Sequence, residues 1–439
     1  MEILRMIVLL SLFAMASPAG LRSQAHEISL TTPSRPQAAI PQPRLLLPAR
    51  TFDGQAMHEG WAVLVEGNRI TAAGPLAALS IPAGAEAIEL PGHTLMPGLI
   101  EGHSHLLLYP YNRADWNDQV LKESNELRAI RGAVQAEENL MAGFTTVREL
   151  GTEGAGYADV AIKQAIEQGI IPGPRLIVSG RAIVATGSYG PKGFKPDFDV
   201  PLGAEPADGD ALIRVVRGQI GKGADFIKVY ADYRWGPDGE AQPTFLQEEL
   251  ELMVRTARSS GRGVAAHAAT AEGMRRAALA GVETIEHGDG GTAEVFQLMK
   301  EKGVALCPTL AAGDAILRYR GWDGRPETEP ERIKQKKKSF QLALESGVTI
   351  LAGGDVGVFE HGENVRELEL MVEYGMPPLE VLRAATAVNA EAFHLPELGR
   401  IREGFLADII AVKGNPAEDI SSLRNVGLVM KGGVLCKKL

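Results

Sequence analysis

Between about Leu95 and Leu395, short apolar runs alternate with helix-like segments, and no other feature of the chain restricts its fold as much. The runs are Leu95–Ile100, Thr145–Val147, Arg175–Ser179, Phe226–Val229, Val264–Ala266, Thr284–Ile285, Val304–Cys307 and Thr349–Leu351. Between them, Glu123–Ala142, Tyr157–Gln168, Ala211–Lys222, Gln247–Ser260, Ala271–Ala280 and Glu331–Ser346 carry helical patterns. A strand leading into a helix and then into another strand makes a parallel βαβ unit. Eight such runs fit a closed (β/α)8 TIM barrel, an α/β fold. The 50 Gly and 26 Pro residues suit its many tight connections.

The two ends follow another pattern. Arg44–Leu47, Trp61–Glu66, Arg69–Ala73 and Glu86–Leu90 are short strand-like runs separated by Gly54, Gly67-Asn68, Gly74 and Pro91-Gly92. This reads as antiparallel hairpins with no room for helices. Asp408–Val412 and Val426–Lys431, followed by Gly432-Gly433, repeat it. The expected organisation is one small β-sandwich domain built from both ends, 44–95 and 397–439, around a barrel at 96–396.

Arg5, the apolar run Met6–Ala16 and the small residues at Ala14-Met15-Ala16 and Ser23-Gln24-Ala25 have the layout of a secretory signal peptide over residues 1–25. The chain is therefore expected to be exported, periplasmic or secreted, with no membrane attachment after cleavage. Residues 26–43, with Pro33, Pro36, Pro41 and Pro43, read as an extended lead-in. Cys307 and Cys436 are too few for a disulfide framework or a cysteine-based zinc site. The net charge of -10 argues against nucleic acid as a partner. It leaves room for a small anionic substrate, because a local metal site can outweigh the global field.

The histidines fall where barrel chemistry needs them. His103 and His105 follow the first run in LMPGLIEGHSHLLL, and residues two apart on an extended segment face one side. Lys228 lies inside the apolar GADFIKVYA, where an ammonium is costly to bury. His267 ends GVAAHA, His287 ends GVETIEHG and Asp355 ends GVTILAGGD. A capped histidine, a snorkelling lysine or a helix-capping aspartate would explain any one of them. Six at C-terminal strand ends would meet at one mouth, which is where a TIM barrel carries its active site.

With these residues in place the chain resembles the amidohydrolase superfamily, in its binuclear branch with a carboxylated lysine. The likeness covers Arg44 to Val434: the MPGLIEGHSH opening, MAGFTTVRELG at Met141–Gly151, the Lys, His, His and Asp stations, and the closing ATAVNAEAFHL and GRIREGFLADIIAV. Within the superfamily it is similar to secreted dipeptidases and N-acyl-amino-acid hydrolases, including ochratoxin-degrading enzymes. The resemblance implies a metal-dependent hydrolase with two divalent ions, zinc first, and a tendency to homo-oligomers. It assigns His103, His105 and Asp355 to the more buried metal and His267 and His287 to the more exposed one. Lys228, carboxylated on its side-chain nitrogen, would bridge them. Hydroxide held between the ions would attack a small amide or dipeptide and release an amino acid with a free carboxylate, with Asp355 as general base and then acid.

Substrate contacts are expected from Tyr189, Tyr230 and His361. Tyr189 lies in the loop Ala185–Pro201, where related dipeptidases often carry Gly-Gly-His and this chain has Gly187-Ser188-Tyr189. Tyr230 shares a strand face with Lys228, and His361 follows Asp355 in FEHGEN. Arg148 is read as an interior ion pair with Glu149 or Asp355, and Lys336-Lys337-Lys338 as a solvated helix face. The stretch Asp314–Glu331 reads as a long loop serving as pocket wall and subunit contact. Hydrolysis of a cyclic amide or lactone is the alternative reaction. Lys228 weighs against the cyclic amide, because mononuclear relatives do not use the strand lysine, and leaves hydrolysis of a lactone open. A non-catalytic binding protein is the alternative class, and the filled ligand positions weigh against that.

Overall fold

The computed structural model describes residues 42–438. The signal peptide expected over 1–25, and the lead-in as far as residue 41, lie outside them.

The apolar runs become a ring of parallel strands. The first barrel strand, Leu99–Ser104, pairs with the second, Phe144–Glu149, which pairs with the third, Arg175–Val178. The fourth to seventh, Ile227–Tyr230, Val264–Ala268, Thr284–His287 and Ala305–Cys307, pair in sequence. Two joints close the ring. Past the third strand, Ile183–Val184 pairs with Val229, and Asp225 N donates to Val178 O at 2.7 Å. Residues 350–356 form the eighth position, with Ile350 bridging Leu306 and Val356 bridging Ser104, both parallel. This position is irregular because it is pressed against its neighbours. A Cβ at Gly353 would stand 2.6 Å from His103 N and from Cys307 Sγ, so only glycine admits the approach.

The run Leu95–Ile100 is divided between two structures rather than forming one strand. Glu86–Pro97 belongs to the terminal sheet and Leu99 starts the barrel. The chain crosses at Gly98, where a Cβ would meet the Thr145 hydroxyl at 2.1 Å.

Apolar stripes dock the outer helices on the ring. Gln247–Arg258, for example, buries Leu250, Met253, Val254 and Ala257 at helical spacing. Ser124, Thr270 and Thr292 cap their helices by accepting from Leu127, Gly273 and Val295 N–H groups. Val147, Ile227, Val229 and Ile285 are fully buried in the barrel. Each such aliphatic side chain contributes about 1.5–3 kcal/mol.

The two ends of the described residues meet in one sheet. Its order is Val434–Lys437, Val426–Lys431, Ile409–Lys413, Glu86–Pro97, Arg44–Phe52, Trp61–Glu66 and Arg69–Pro75, with Met57–Glu59 paired to Arg44–Phe52. The hairpin pattern holds at Trp61–Pro75 and Ile409–Lys437. Arg44–Phe52 and Glu86–Pro97 are parallel instead, since the intervening hairpin packs on the outer side of Arg44–Phe52. The sheet bends back so that Ile70 N donates to Phe405 O and Ala407 N to Asn68 O, both at 2.9 Å. Leu46, Val63, Ile70, Leu95, Ile409 and Met430 form the enclosed core. Among the described residues, no helix is long and apolar enough to cross a membrane.

Candidate active site

Parallel strands deliver their C-terminal residues to one mouth, and a cavity of about 440 Å³ opens there. His103 and His105 end the first strand with ring centroids 5.3 Å apart. The second imidazole nitrogen of each is already engaged. His103 Nδ1 lies 2.9 Å from Glu286 Oε2, and His105 Nδ1 lies 2.8 Å from the Gly151 carbonyl. Their Nε2 atoms therefore point to Asp355 Oδ1, at 3.6 and 3.3 Å. The ligand atoms of these three residues lie within 4.8 Å of one another.

His267 and His287 complete the group. Their centroids are 4.4 Å apart, and His287 is 5.2 Å from His103. His287 Nδ1 meets Thr309 Oγ1 at 2.8 Å, which orients the ring. His267 stacks on Tyr230 at 4.6 Å, with its Nε2 3.7 Å from Asp232 Oδ1. Lys228 sits on the fourth strand beneath them and is 1% exposed. Its Nζ is 5.6 Å from the Tyr230 ring centroid.

Burial sets the charge states. It holds the imidazoles of His103 and His287 well below the usual range and pushes His267 down to about 3. Neutral imidazoles with one nitrogen anchored are suited to holding a metal. Burial also lowers the Lys228 ammonium and raises the Asp355 carboxyl. Asp355 Oδ1 is buried and has no hydrogen-bond donor among the described residues. A buried carboxylate oxygen facing two imidazole nitrogens fits a divalent cation placed among them.

Tyr189 and Tyr230 line the same cavity, and both are tied to Glu153. Glu153 accepts from Tyr189 OH at 2.6 Å, from Trp116 Nε1 at 2.8 Å and from Tyr230 OH at 3.2 Å. His361 is not part of the cavity lining. It is buried behind the mouth, with Nδ1 2.9 Å from Asn139 Nδ2. Of the nine residues singled out from the sequence, His361 alone turns away and Lys228 lies below the wall.

Three sequence readings change. Arg148 pairs with neither Glu149 nor Asp355. Its Nη1 donates to Glu286 at 3.2 Å and Nη2 to Thr284 at 3.0 Å, so Glu286 joins Arg148 to His103. Lys336 is buried rather than solvated, and donates to the His287 carbonyl at 2.7 Å and to Asp289. The signal was present: Ile333, Lys336 and Phe340 recur at helical spacing, which puts Lys336 on the inner face. The first third of the stretch 314–331 is helix, because Leu310–Tyr319 continues into it, and Ile316 lines the cavity. Glu286 also had a signal in the buried carboxylate of TIEH, next to His287. Glu153 had none, because its partners converge only in the fold.

The amidohydrolase family model matches residues 94–436. Ochratoxinase from Aspergillus niger is 34% identical over 380 residues, covering 78% of this chain and 75% of that protein. The crystal structure of a Xaa-Pro dipeptidase with bound methionine in the active site superposes with a TM-score of 0.80 at 33% identity, over 90% of this chain and 100% of that one. The crystal structure of Aspergillus niger ochratoxinase superposes with a TM-score of 0.78 at 30% identity, over 91% and 96%. With its strand-end histidines gathered around a buried aspartate, this chain belongs to the amidohydrolase family and is a hydrolase acting on amide bonds.

Proposed function

We propose that the chain is a binuclear metallohydrolase that cleaves the amide joining an acyl or aminoacyl group to an amino acid with a free carboxylate. The observation that carries this reading is the unpartnered Asp355 Oδ1 facing His103 and His105 Nε2, with His267 and His287 beside them. His103, His105 and Asp355 would hold one ion, and His267 and His287 the other. Zinc suits an imidazole-rich set with oxygen ligands. Bound divalent ions supply a water that is acidic near neutral pH and a Lewis acid for the scissile carbonyl.

The residues do the rest. Lys228, buried without a hydrogen bond or ion pair among the described residues, is disfavoured as a cation there. Carboxylation of its nitrogen would turn it into an anionic oxygen ligand between the ions. Asp355 takes a proton from the attacking water as the carbon–oxygen bond forms. It returns that proton to the departing amine nitrogen as the carbon–nitrogen bond breaks. Tyr230 and Tyr189, on the wall beside His267, are assigned to the substrate carboxylate and carbonyl, each hydroxyl turning its one hydrogen from Glu153 to the substrate. His361 has no part in this scheme.

An aromatic leaving amino acid, as in ochratoxin A, is the specific candidate suggested by the similarity to ochratoxinase. The test is metal content measured alongside hydrolysis of N-acyl amino acids, dipeptides and ochratoxin A. The expected result is about two ions per chain, with activity lost to chelator and restored by zinc. About one ion per chain, or a panel left uncleaved while a lactone or cyclic amide is opened, would overturn it.

A further inference from the structure

We propose that Lys336 is a positioning residue for His287, through which a helix outside the ring of strands sets the affinity of the second metal position; this rests on the two-ion reading above. His287 ends the sixth strand at φ 76°, and Gly288 follows at 64°. Two successive left-handed residues turn the chain sharply. A histidine in that region is opposed by its own Cβ, so the turn needs partners outside itself to hold it.

The helix Glu331–Ser346 supplies them. The peptide unit between His287 and Gly288 is held at both ends. Its N–H donates to the Ala268 carbonyl at 3.0 Å, and its carbonyl accepts from Lys336 Nζ at 2.7 Å. The next carbonyl, that of Gly288, accepts from Ser339 Oγ at 2.6 Å and from Gly291 N at 3.1 Å. Lys336 and Ser339 lie three positions apart on the buried face of the helix, so they reach the turn together. On its other side His287 is fixed by pairing with Ala268 in the sheet. Holding the backbone on both sides of a Cα fixes where its Cβ points. The His287 imidazole is thereby kept beside His103 and His267, with ring centroids 5.2 and 4.4 Å away.

The residue type fits this task. Lys338, two positions on, is exposed and solvated. Lys336 is buried, with its charge matched by Asp289, and Arg332 stands 3.7 Å from the same carboxylate. A buried ammonium is costly, yet its hydrogen bond is roughly twice as strong as one from a neutral donor. That strength is spent on the carbonyl of a strained metal-site residue. Thr309 acts on a different torsion. It orients the imidazole through Nδ1 at 2.8 Å, whereas Lys336 fixes the backbone from which the ring extends.

Calorimetric zinc titration of the chelator-treated full chain in bicarbonate buffer reads the two ions as separate steps. In Lys336→Met the step at His267 and His287 should weaken about 10–100-fold, the scale for loss of a partner that orients a ligand. The step at His103, His105 and Asp355 should be unchanged. With cobalt(II) in place of zinc, the visible spectrum of the weakened equivalent should change and that of the other should not. Ser339→Ala should weaken the same step by a smaller factor. If Lys336→Met fails to fold, adding Asp289→Asn removes the carboxylate left behind, and the double variant should show the same selective loss. Both steps unchanged, with only the melting temperature of the metal-free protein lowered, would make Lys336 a packing residue and overturn the proposal. Equal weakening of both steps would overturn it as well, because the effect would not run through His287. A single step in the unmodified chain would instead sink the two-ion reading, and this proposal with it.

Discussion

In the terminal sheet and its turns, the described residues with positive φ are all glycines, Gly54, Gly67, Gly92, Gly404, Gly432 and Gly433 among them. At the barrel mouth the same backbone region is occupied by full side chains: Glu153 at φ 48°, His287 at 76°, Thr309 at 51° and Asp355 at 62°. All four line the site cavity. A side chain in this region costs of order 1–2 kcal/mol, so it persists only where surrounding packing enforces it. The interiors differ in the same direction. Beneath the mouth, Glu101, Glu149, Glu286 and Glu367 are at most 1% exposed, whereas Leu46, Val63, Leu95 and Met430 fill the terminal sheet's core. One region is arranged for low energy, and the other gives up stability to aim particular atoms.

If that division is right, substitutions in the two regions should separate activity from stability. Asp355→Asn is expected to lower kcat by about 10³-fold or more with little change in melting temperature, because asparagine tolerates the left-handed backbone. Steady-state kinetics beside thermal melting checks both halves. Leu46→Ala should do the reverse, costing about 3 kcal/mol in denaturant unfolding while kcat of the folded enzyme is kept. A tenfold loss of kcat in folded Leu46→Ala would break the comparison, since the sheet would then be shaping the site directly.

The same contrast explains what could be read in advance. The eight runs and the strand-end residues were readable because period and position are local properties of the sequence, and all six expected ligands lie at or just below the mouth. The split of Leu95–Ile100 was not, because the apolar run continues through Gly98 and only contact with Thr145 shows the crossing. The sequence alone pairs Arg148 with carboxylates nearby in the chain or at the expected site. Glu286 lies 138 residues away on the sixth strand, four strands around the closed barrel from Arg148 on the second. His361 followed Asp355 closely enough to suggest the cavity, but its ring turns to Asn139 instead. The parts missed are those fixed by tertiary convergence.

A buried carboxylate under the mouth should also leave a pH signature of its own. Burial pushes Glu367 up to about 8, against the ordinary glutamate value it regains on unfolding. The native state therefore holds a proton that the unfolded chain releases first. Stability falls as pH rises from about 4.5 through 8. Glu367→Gln removes that titration and keeps an oxygen to accept from Ala311 N, which now donates to Glu367 at 2.7 Å. The variant should gain roughly 3 kcal/mol on the parent between pH 5 and pH 8 in urea melts. A pH-independent difference would remove Glu367 from the groups that make the mouth costly.

Thr309→Gly is the smallest expected effect and the sharpest test of the strain argument. Thr309 is β-branched at φ 51°, a conformation that its own Cβ opposes and glycine adopts freely. Its hydroxyl meets His287 Nδ1 at 2.8 Å, so the strain coincides with the contact that aims this imidazole. Replacement relieves the backbone and removes the aim together. Glycine's greater freedom in the unfolded chain offsets part of the gain, leaving the metal-free protein within about 1 kcal/mol of the parent. Metal affinity should fall about 10–100-fold, the usual scale for loss of a partner that orients a ligand. Calorimetric metal titration and chemical denaturation of the metal-free protein give the two numbers separately. Unchanged metal affinity would mean that the left-handed threonine is a feature of the loop. Weakened affinity without lost stability would show that its strained backbone is retained for the position of His287.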